Sequence, residues 1–130
     1  MRGLYLFGAN LYDKDLKINY ADIAEINKLA NRNPDYFDGG RKEWMIEQVT
    51  INPKIPASDC SGMEVGYLRK HKLVSKSFDT NANTLCGNGH STSISKDELQ
   101  PGDWVGRPGH IGTYVGGGYV VEYYGGAFGC

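Results

Sequence analysis

The stretch PASDCSGMEVGYLRKHK, residues 56–72, predicts the start of a helix with a cysteine in its first turn. Ser58 is a favoured N-cap residue, Asp59 follows in the first turn, and a run compatible with a helix continues from there. Cys60 would then lie where free backbone N–H groups and the helix dipole stabilise a thiolate. The alternative is a buried cysteine that only fills space, because unpaired cysteine is among the most buried residue types.

The composition of the 130-residue chain is that of one globular domain with a core of its own. A formal net charge of −1 and the lack of a basic stripe argue against nucleic acid as a partner. No apolar run reaches the roughly 18 residues that a membrane span needs, so no membrane span is expected. Three cysteines are an odd number and do not imply a disulfide framework.

The two halves of the chain differ in pattern. Residues 20–32 predict an amphipathic helix, and one face of this helix would carry Ile23, Ile26, Leu29 and Ala30. Residues 41–51 are compatible with a helix that turns into a strand, and residues 75–93 predict an irregular polar loop. Most of the 18 glycines follow residue 87, and glycine-rich turns between tyrosine-bearing segments predict a β-rich second half.

The most regular part of the second half predicts a hairpin. The segments HIGTYV (110–115) and YVVEYY (119–124) read as two strands joined by three glycines. A turn centred on Gly117 pairs residues whose numbers sum to about 234, so Gly112 faces Glu122.

In this register His110 and Glu122 are diagonal neighbours on one face of the hairpin, and the small Gly112 leaves space for the pair. A shift of the register by one residue would move Glu122 to the opposite face.

His110 beside Glu122 could act as a general base, because the carboxylate orients the imidazole and stabilises its protonated form. A thiol at a helix N-terminus would complete a Cys–His–acid set for nucleophilic catalysis, with nearby backbone N–H groups to stabilise an oxyanion. The spacing permits the Cys60 helix to pack on the hairpin without dictating it. Glu64, one turn after Cys60, is predicted to cap the helix start, because a nearby carboxylate would oppose a thiolate.

The family that these patterns resemble is that of the NlpC-type cell-wall peptidases, on three segments in order: DCSG (59–62), LQPGDWV (99–105) and GHIGTYVGGGYVVE (109–122). The resemblance covers residues 56–130 and implies an α+β, papain-like cysteine peptidase fold. It assigns Cys60 as the nucleophile, His110 as the base and Glu122 as the third residue of a triad. The third position is most often His in the family, so Glu122 is a departure that should stabilise the imidazolium more strongly.

The resemblance implies hydrolysis of an amide bond in peptidoglycan stem peptides, typically between the γ-carboxyl of D-glutamate and a diamino acid. It implies no metal or cofactor, and we expect a monomer. The family usually has a tyrosine of the substrate pocket ahead of a glycine pair, and the similar segment DYFDGG (35–40) makes Tyr36 its counterpart. Asp59 and Ser61 are the other predicted substrate-binding residues. We expect residues 1–130 to be a single catalytic domain in which residues 1–55 are a divergent N-terminal part and residues 56–130 the peptidase core. Related sequences commonly continue with further strands, so the resemblance implies a C-terminal part that this sequence lacks.

The N-terminal segment MRGLYLFGANLYDKD lacks the pattern of a signal peptide, because Gly8, Asn10 and Asp13 interrupt its apolar stretch. We therefore expect a protein that is made in the cytoplasm and acts on the bacterial cell wall. A phage lysin or a virion-associated wall hydrolase fits this expectation better than a secreted housekeeping enzyme.

Three other functions stay open. A catalytically silent wall-binding or structural domain would keep the fold, although the intact Cys60 and His110 favour an enzyme. An amidase or acyltransferase could use the same triad on another substrate. A zinc site would need ligands without the paired, tight spacing typical of structural zinc, namely Cys86, His90, His110 and Cys130.

Overall fold

The fold combines four α-helices with two small sheets, which confirms the predicted α+β class. The computed structural model describes residues 3–87 and 89–125, and these statements refer to that part of the chain. The helices are α1 (Ile23–Arg32), α2 (Arg41–Ile51), α3 (Cys60–Lys70) and α4 (Ala82–Leu85). The strands are β1 (Leu4–Tyr5), β2 (Ala57–Ser58), β3 (Trp104–Arg107), β4 (His110–Gly116) and β5 (Tyr119–Val121). No helix within these ranges has the length and apolar character that crossing a bilayer requires.

The two sheets differ in how far apart their strands lie in sequence. β1 pairs in parallel with β2, so that Leu4 lies opposite Ala57. β3, β4 and β5 form an antiparallel sheet in that order. In the hairpin, Thr113 lies opposite Val121 and Tyr114 opposite Val120, so both pairs sum to 234 as predicted. β5 ends at Val121, so the predicted strand over residues 119–124 is wrong at residues 122–124. The register shifts only beyond these pairs, next to the glycine turn.

The first core lies between β1, α1 and α2. The carboxylate of Asp22 caps α1 by accepting the Glu25 N–H at 2.7 Å. Ile26 and Ala30 are buried as predicted, but Ile23 is 43% exposed, so the predicted apolar face is wrong at its N-terminal end.

Residues 41–51 are helical throughout as α2, so the predicted change to a strand is wrong. This helix buries Met45 and Val49, four residues apart, against the first core. The helical spacing of the buried residues therefore outweighs the strand preference of the β-branched residues at the C-terminal end of this segment.

The second core lies between α3, α4 and the antiparallel sheet, where Val65, Leu85 and Ile111 are fully buried. Leu85 belongs to α4, so the prediction of an irregular loop over residues 75–93 is wrong at residues 82–85. The side chain of Asn81 caps this short helix by accepting the Thr84 N–H at 3.0 Å. Packing against the sheet stabilises a turn of helix too short to be stable alone.

Candidate active site

Asp59, not Ser58, is the N-cap of α3, so the predicted helix start is wrong by one residue. Ser58 ends β2 and is fully buried, whereas the Asp59 carboxylate accepts the Gly62 N–H at 2.7 Å. Cys60 is consequently the first residue of the helix, in the turn whose N–H groups lack helical acceptors.

An N-terminal loop crosses the start of α3 and holds Cys60 in place. The Gly8 N–H donates to Oδ2 of Asp59 at 2.8 Å, and the Asp59 N–H donates to the Ala9 carbonyl oxygen at 2.9 Å. Gly62 lets the two backbones approach, because a Cβ on this residue would lie 2.0 Å from the Ala9 carbonyl oxygen. The position of Cys60 therefore depends on residues more than 45 positions earlier in the chain.

Cys60 lines a cleft of about 450 Å³ between this loop, the start of α3 and the segment before β4. The N-terminal wall consists of Tyr5, Phe7, Gly8 and Asn10. The facing wall is formed by residues 79–83 with Gly109.

Burial raises the pKa of the Cys60 thiol above its ordinary value, and the negative charge of Asp59 adds to the rise. Backbone N–H groups of Ile111, Ser61 and Cys60 itself oppose this effect without cancelling it. The backbone N–H groups at the helix start therefore favour the thiolate as expected, but the larger effect of burial, which was not expected, outweighs them. Cys60 rests as a thiol at neutral pH and needs a base to become a nucleophile.

His110 and Glu122 form a direct pair, as the predicted register requires. Nε2 of His110 lies 2.5 Å from Oε2 of Glu122. A Cβ on Gly112 would approach the Glu122 Cβ to 3.0 Å, so the glycine does leave the space that the pair uses. Because the carboxylate accepts the proton on Nε2, the neutral ring carries its free electron pair on Nδ1. The ring edge also packs on Tyr124, with 5.4 Å between the two ring centroids.

The segment that carries His110 lies directly at the Cys60 sulfur. The Cys60 thiol donates to the carbonyl oxygen of Gly109, with 3.9 Å between sulfur and oxygen, and the Ile111 N–H lies within reach of the same sulfur. Both sequence neighbours of His110 therefore contact the candidate nucleophile. Asn83 of α4 holds this segment, because its Oδ1 accepts the Gly109 N–H at 2.7 Å.

The three predicted substrate-binding residues have different surroundings. Both carboxylate oxygens of Asp59 accept bonds within the protein, and burial raises the pKa of this carboxyl. The Ser61 side chain is buried and donates to Asp59 at 3.1 Å. Tyr36 does not line the cleft itself but stacks on Phe7, which does, with 4.0 Å between the ring centroids.

Tyr5 is a residue of the cleft that the sequence patterns did not single out. Burial raises the pKa of its phenol, and the Cys60 sulfur, when ionised, and the Asp59 carboxylate add to the rise. The segment around Tyr5 reads only as a short strand, and nothing local distinguishes it from the other eight tyrosines of the chain.

Glu64 does not cap α3, so the role predicted for it is wrong. Its side chain is only 4% exposed and points at the antiparallel sheet. Oε1 accepts the Thr113 hydroxyl at 2.7 Å and Oε2 accepts the Trp104 indole N–H at 3.0 Å. Burial raises the pKa of this carboxyl, and the two hydrogen bonds oppose the rise.

The zinc alternative receives no support from the described residues, where no three His, Cys, Asp or Glu side chains group in a way that could hold a metal. Cys86 is a free, exposed thiol, and Cys130 lies outside the described residues.

Comparisons with models of protein families, with curated proteins and with solved structures found no match to this chain. The residues of the cleft therefore carry the functional argument, together with the sequence resemblance.

Proposed function

We propose that this chain is a papain-like cysteine peptidase of the NlpC type, acting on the stem peptides of bacterial peptidoglycan. Cys60 is the nucleophile, His110 the general base and acid, and Glu122 the residue that orients the imidazole. The observation that carries the proposal is the placement of His110, whose two sequence neighbours contact the Cys60 sulfur while its Nε2 is bonded to Glu122.

The geometry suits a reaction in which the base creates the thiolate during attack. The Cys60 thiol first breaks its hydrogen bond to the Gly109 carbonyl oxygen and donates instead to Nδ1 of His110. It then transfers its proton to that nitrogen as the sulfur attacks the amide carbon. The negative oxygen of the tetrahedral intermediate faces the backbone N–H groups at the start of α3. Glu122 stabilises the imidazolium formed in this step.

The imidazolium then returns the proton to the departing nitrogen, the carbon–nitrogen bond breaks, and a thioester on Cys60 remains. Water, deprotonated by His110, attacks the thioester and releases the acid fragment and the free thiol. Each proton removed is returned, so the cycle needs no cofactor.

The cleft has the polarity expected for a peptide that carries an amino group. Asp79 presents a carboxylate to the cleft that is 63% exposed and that also lies 3.9 Å from the Arg69 guanidinium. No lysine or arginine occurs among the described residues of the lining. The diamino acid of a stem peptide carries such an amino group. Tyr5, next to Cys60 in the cleft, fits the role of a pocket tyrosine that the resemblance assigned to Tyr36.

The test is a digest of purified peptidoglycan and of isolated stem peptides, analysed by mass spectrometry. We expect new fragments from the wild type, none from Cys60→Ala or His110→Ala, and a rate reduced about tenfold for Glu122→Gln. The amide oxygen that Glu122→Gln introduces would still accept the Nε2 proton, but the charge that stabilises the imidazolium would be lost. Glu47→Gln, a change at an exposed position of α2, is the matched control.

The fragment masses identify the bond and separate the alternatives. Cleavage next to a diamino acid supports the proposal, whereas transfer of the acyl group to an added amine would identify an acyltransferase. Wild-type protein that binds the wall but produces no fragments from either substrate would contradict the proposal and indicate a catalytically silent wall-binding domain.

A further inference from the structure

We infer that Glu64 is a positioning residue that sets the separation and register of Cys60 and His110, an inference that rests on the proposed function. Its carboxylate connects the helix that carries Cys60 to strands β3 and β4. No part of the proposed reaction uses Glu64 directly.

The residues that Glu64 connects are close in sequence to Cys60 and His110. Glu64 lies one helical turn after Cys60 on α3, and Thr113 lies three residues after His110 on β4. Thr113 and Trp104 stand directly opposite each other in the sheet, and each donates to a different oxygen of Glu64. One side chain thereby fixes the helix against both strands.

The apolar contacts beside this carboxylate do not fix the register by themselves. Cys60, Val65 and Ile111 form the neighbouring part of the second core, and packing of such side chains is not directional. Hydrogen bonds are directional, so the two bonds of Glu64 select one of the helix positions that the apolar contacts would accept.

A buried carboxylate is a costly way to gain stability, because burial opposes its charge and apolar side chains of similar size often serve as well. Specific placement is the better explanation for Glu64. Its charge is not the functional element, because the negative group that raises the pKa of Cys60 is Asp59.

The experiment compares Glu64→Gln, Glu64→Ala and Thr113→Val in a background in which Cys86 and Cys130 are replaced by serine. The side-chain amide of Glu64→Gln can accept from Trp104 with its oxygen and donate to Thr113 with its NH2 group, so this variant keeps the connection without the charge. Glu64→Ala removes both bonds, and Thr113→Val removes one bond at nearly constant shape. Glu47→Gln is the control for the loss of a glutamate charge at an exposed position.

Two readouts are used: the pH profile of Cys60 alkylation, which needs no substrate, and kcat and KM on a stem peptide. Because the pKa of the resting Cys60 thiol is raised, its reaction with iodoacetamide at neutral pH requires a base. We expect wild type and Glu64→Gln to show this reaction with His110 as the base, and His110→Ala to lose it. Glu64→Ala should lose this His110-dependent reactivity and about 100-fold in kcat, with KM changed less than about threefold, because misplacement by about 1 Å has such effects. Thr113→Val should lose about tenfold in kcat by the same reasoning.

The inference is overturned if folded Glu64→Ala keeps the wild-type alkylation profile and kcat, or if Glu64→Gln loses as much as Glu64→Ala. If Glu64→Ala does not fold, Thr113→Val decides, and wild-type behaviour of that variant overturns the inference. A wild type that shows the His110-dependent reactivity but cuts no stem peptide would contradict the proposed substrate, and the alkylation of the three variants would still decide the role of Glu64. A wild type without that reactivity would contradict the proposed triad itself.

Discussion

Cys60 and His110 are held by two parts of the molecule that differ in solvent exposure and in the sequence separation of the residues that contact each other. The junction around Cys60 is buried, and it joins residues 4–9 to residues 57–62 through backbone hydrogen bonds. The hairpin that carries His110 is local in sequence and open to solvent, with Tyr119 73% and Val121 52% exposed. A substitution at the junction should therefore affect folding, whereas one in the hairpin should affect activity while the fold persists.

The largest expected effect is on stability, from Gly62→Ala at the junction. The new Cβ would lie 2.0 Å from the Ala9 carbonyl oxygen, and a backbone atom in a bonded loop cannot move away cheaply. We expect a loss of about 3 kcal/mol in the free energy of unfolding, measured by urea denaturation. Glu47→Ala, at an exposed helix position, should change it by less than about 0.5 kcal/mol. A Gly62→Ala protein as stable as the wild type would contradict this account of the junction.

The next effect in size is on activity, from Gly112→Ala in the hairpin. The added Cβ would lie 2.8 Å from Cγ1 of Val120 and 3.0 Å from the Cβ of Glu122, which forces the segment after β5 away from β4. We expect kcat on a stem peptide to fall between about 10-fold and 100-fold, since Glu122 no longer holds the imidazole. The free energy of unfolding should fall by only about 1–2 kcal/mol.

Tyr119→Phe, an exposed change on the same hairpin, is the control for Gly112→Ala and should leave both quantities unchanged. The contrast between junction and hairpin fails if Gly112→Ala unfolds the protein as completely as Gly62→Ala does.

The smallest expected effect is on the pH dependence of stability, and it comes from Glu64, the buried carboxyl between the junction and the hairpin. Burial raises the pKa of Glu64 in the folded protein above its unfolded value of 4.5, so the folded state retains the proton to higher pH. The contribution of this group to stability is therefore complete below 4.5 and is lost as the pH rises through the folded-state pKa. The side chain in Glu64→Gln cannot lose a proton. As the pH rises through the folded-state pKa of Glu64, we therefore expect the wild type to lose stability relative to Glu64→Gln.

Thermal denaturation of wild type, Glu64→Gln and Glu47→Gln at a series of pH values measures this difference. A constant difference between wild type and Glu64→Gln across the series would contradict the raised pKa.

The sequence predicted the hairpin better than the junction, and the reason is the range of the contacts. The turn around Gly117 and the alternation of side chains determine which residues face each other, so the pairing of His110 with Glu122 followed from a local pattern. The start of α3 was predicted to within one residue for the same reason, because capping is local.

The errors concern burial, which depends on segments that are distant in sequence. Nothing near Cys60 indicates that residues 8–10 cover it, so the effect of burial on its pKa could not be predicted. Glu64 was assigned to the helix start because Thr113 and Trp104 lie 49 and 40 residues away. The short helix α4 likewise depends on a sheet that forms from later residues.

The pairing of Leu4 with Ala57 has a consequence for the order in which the molecule assembles. Strands β3 to β5 close within 18 residues, from Trp104 to Val121, whereas β1 reaches β2 only after a loop of about 50 residues has closed. Hairpins form within microseconds, and contacts between distant residues form more slowly because the loop entropy must be overcome first. We therefore expect the pairing of His110 with Glu122 to form earlier in folding than the junction that holds Cys60. A partly folded chain would carry a complete hairpin and an unsupported thiol, so catalytic competence would report the final docking of the N-terminal segment.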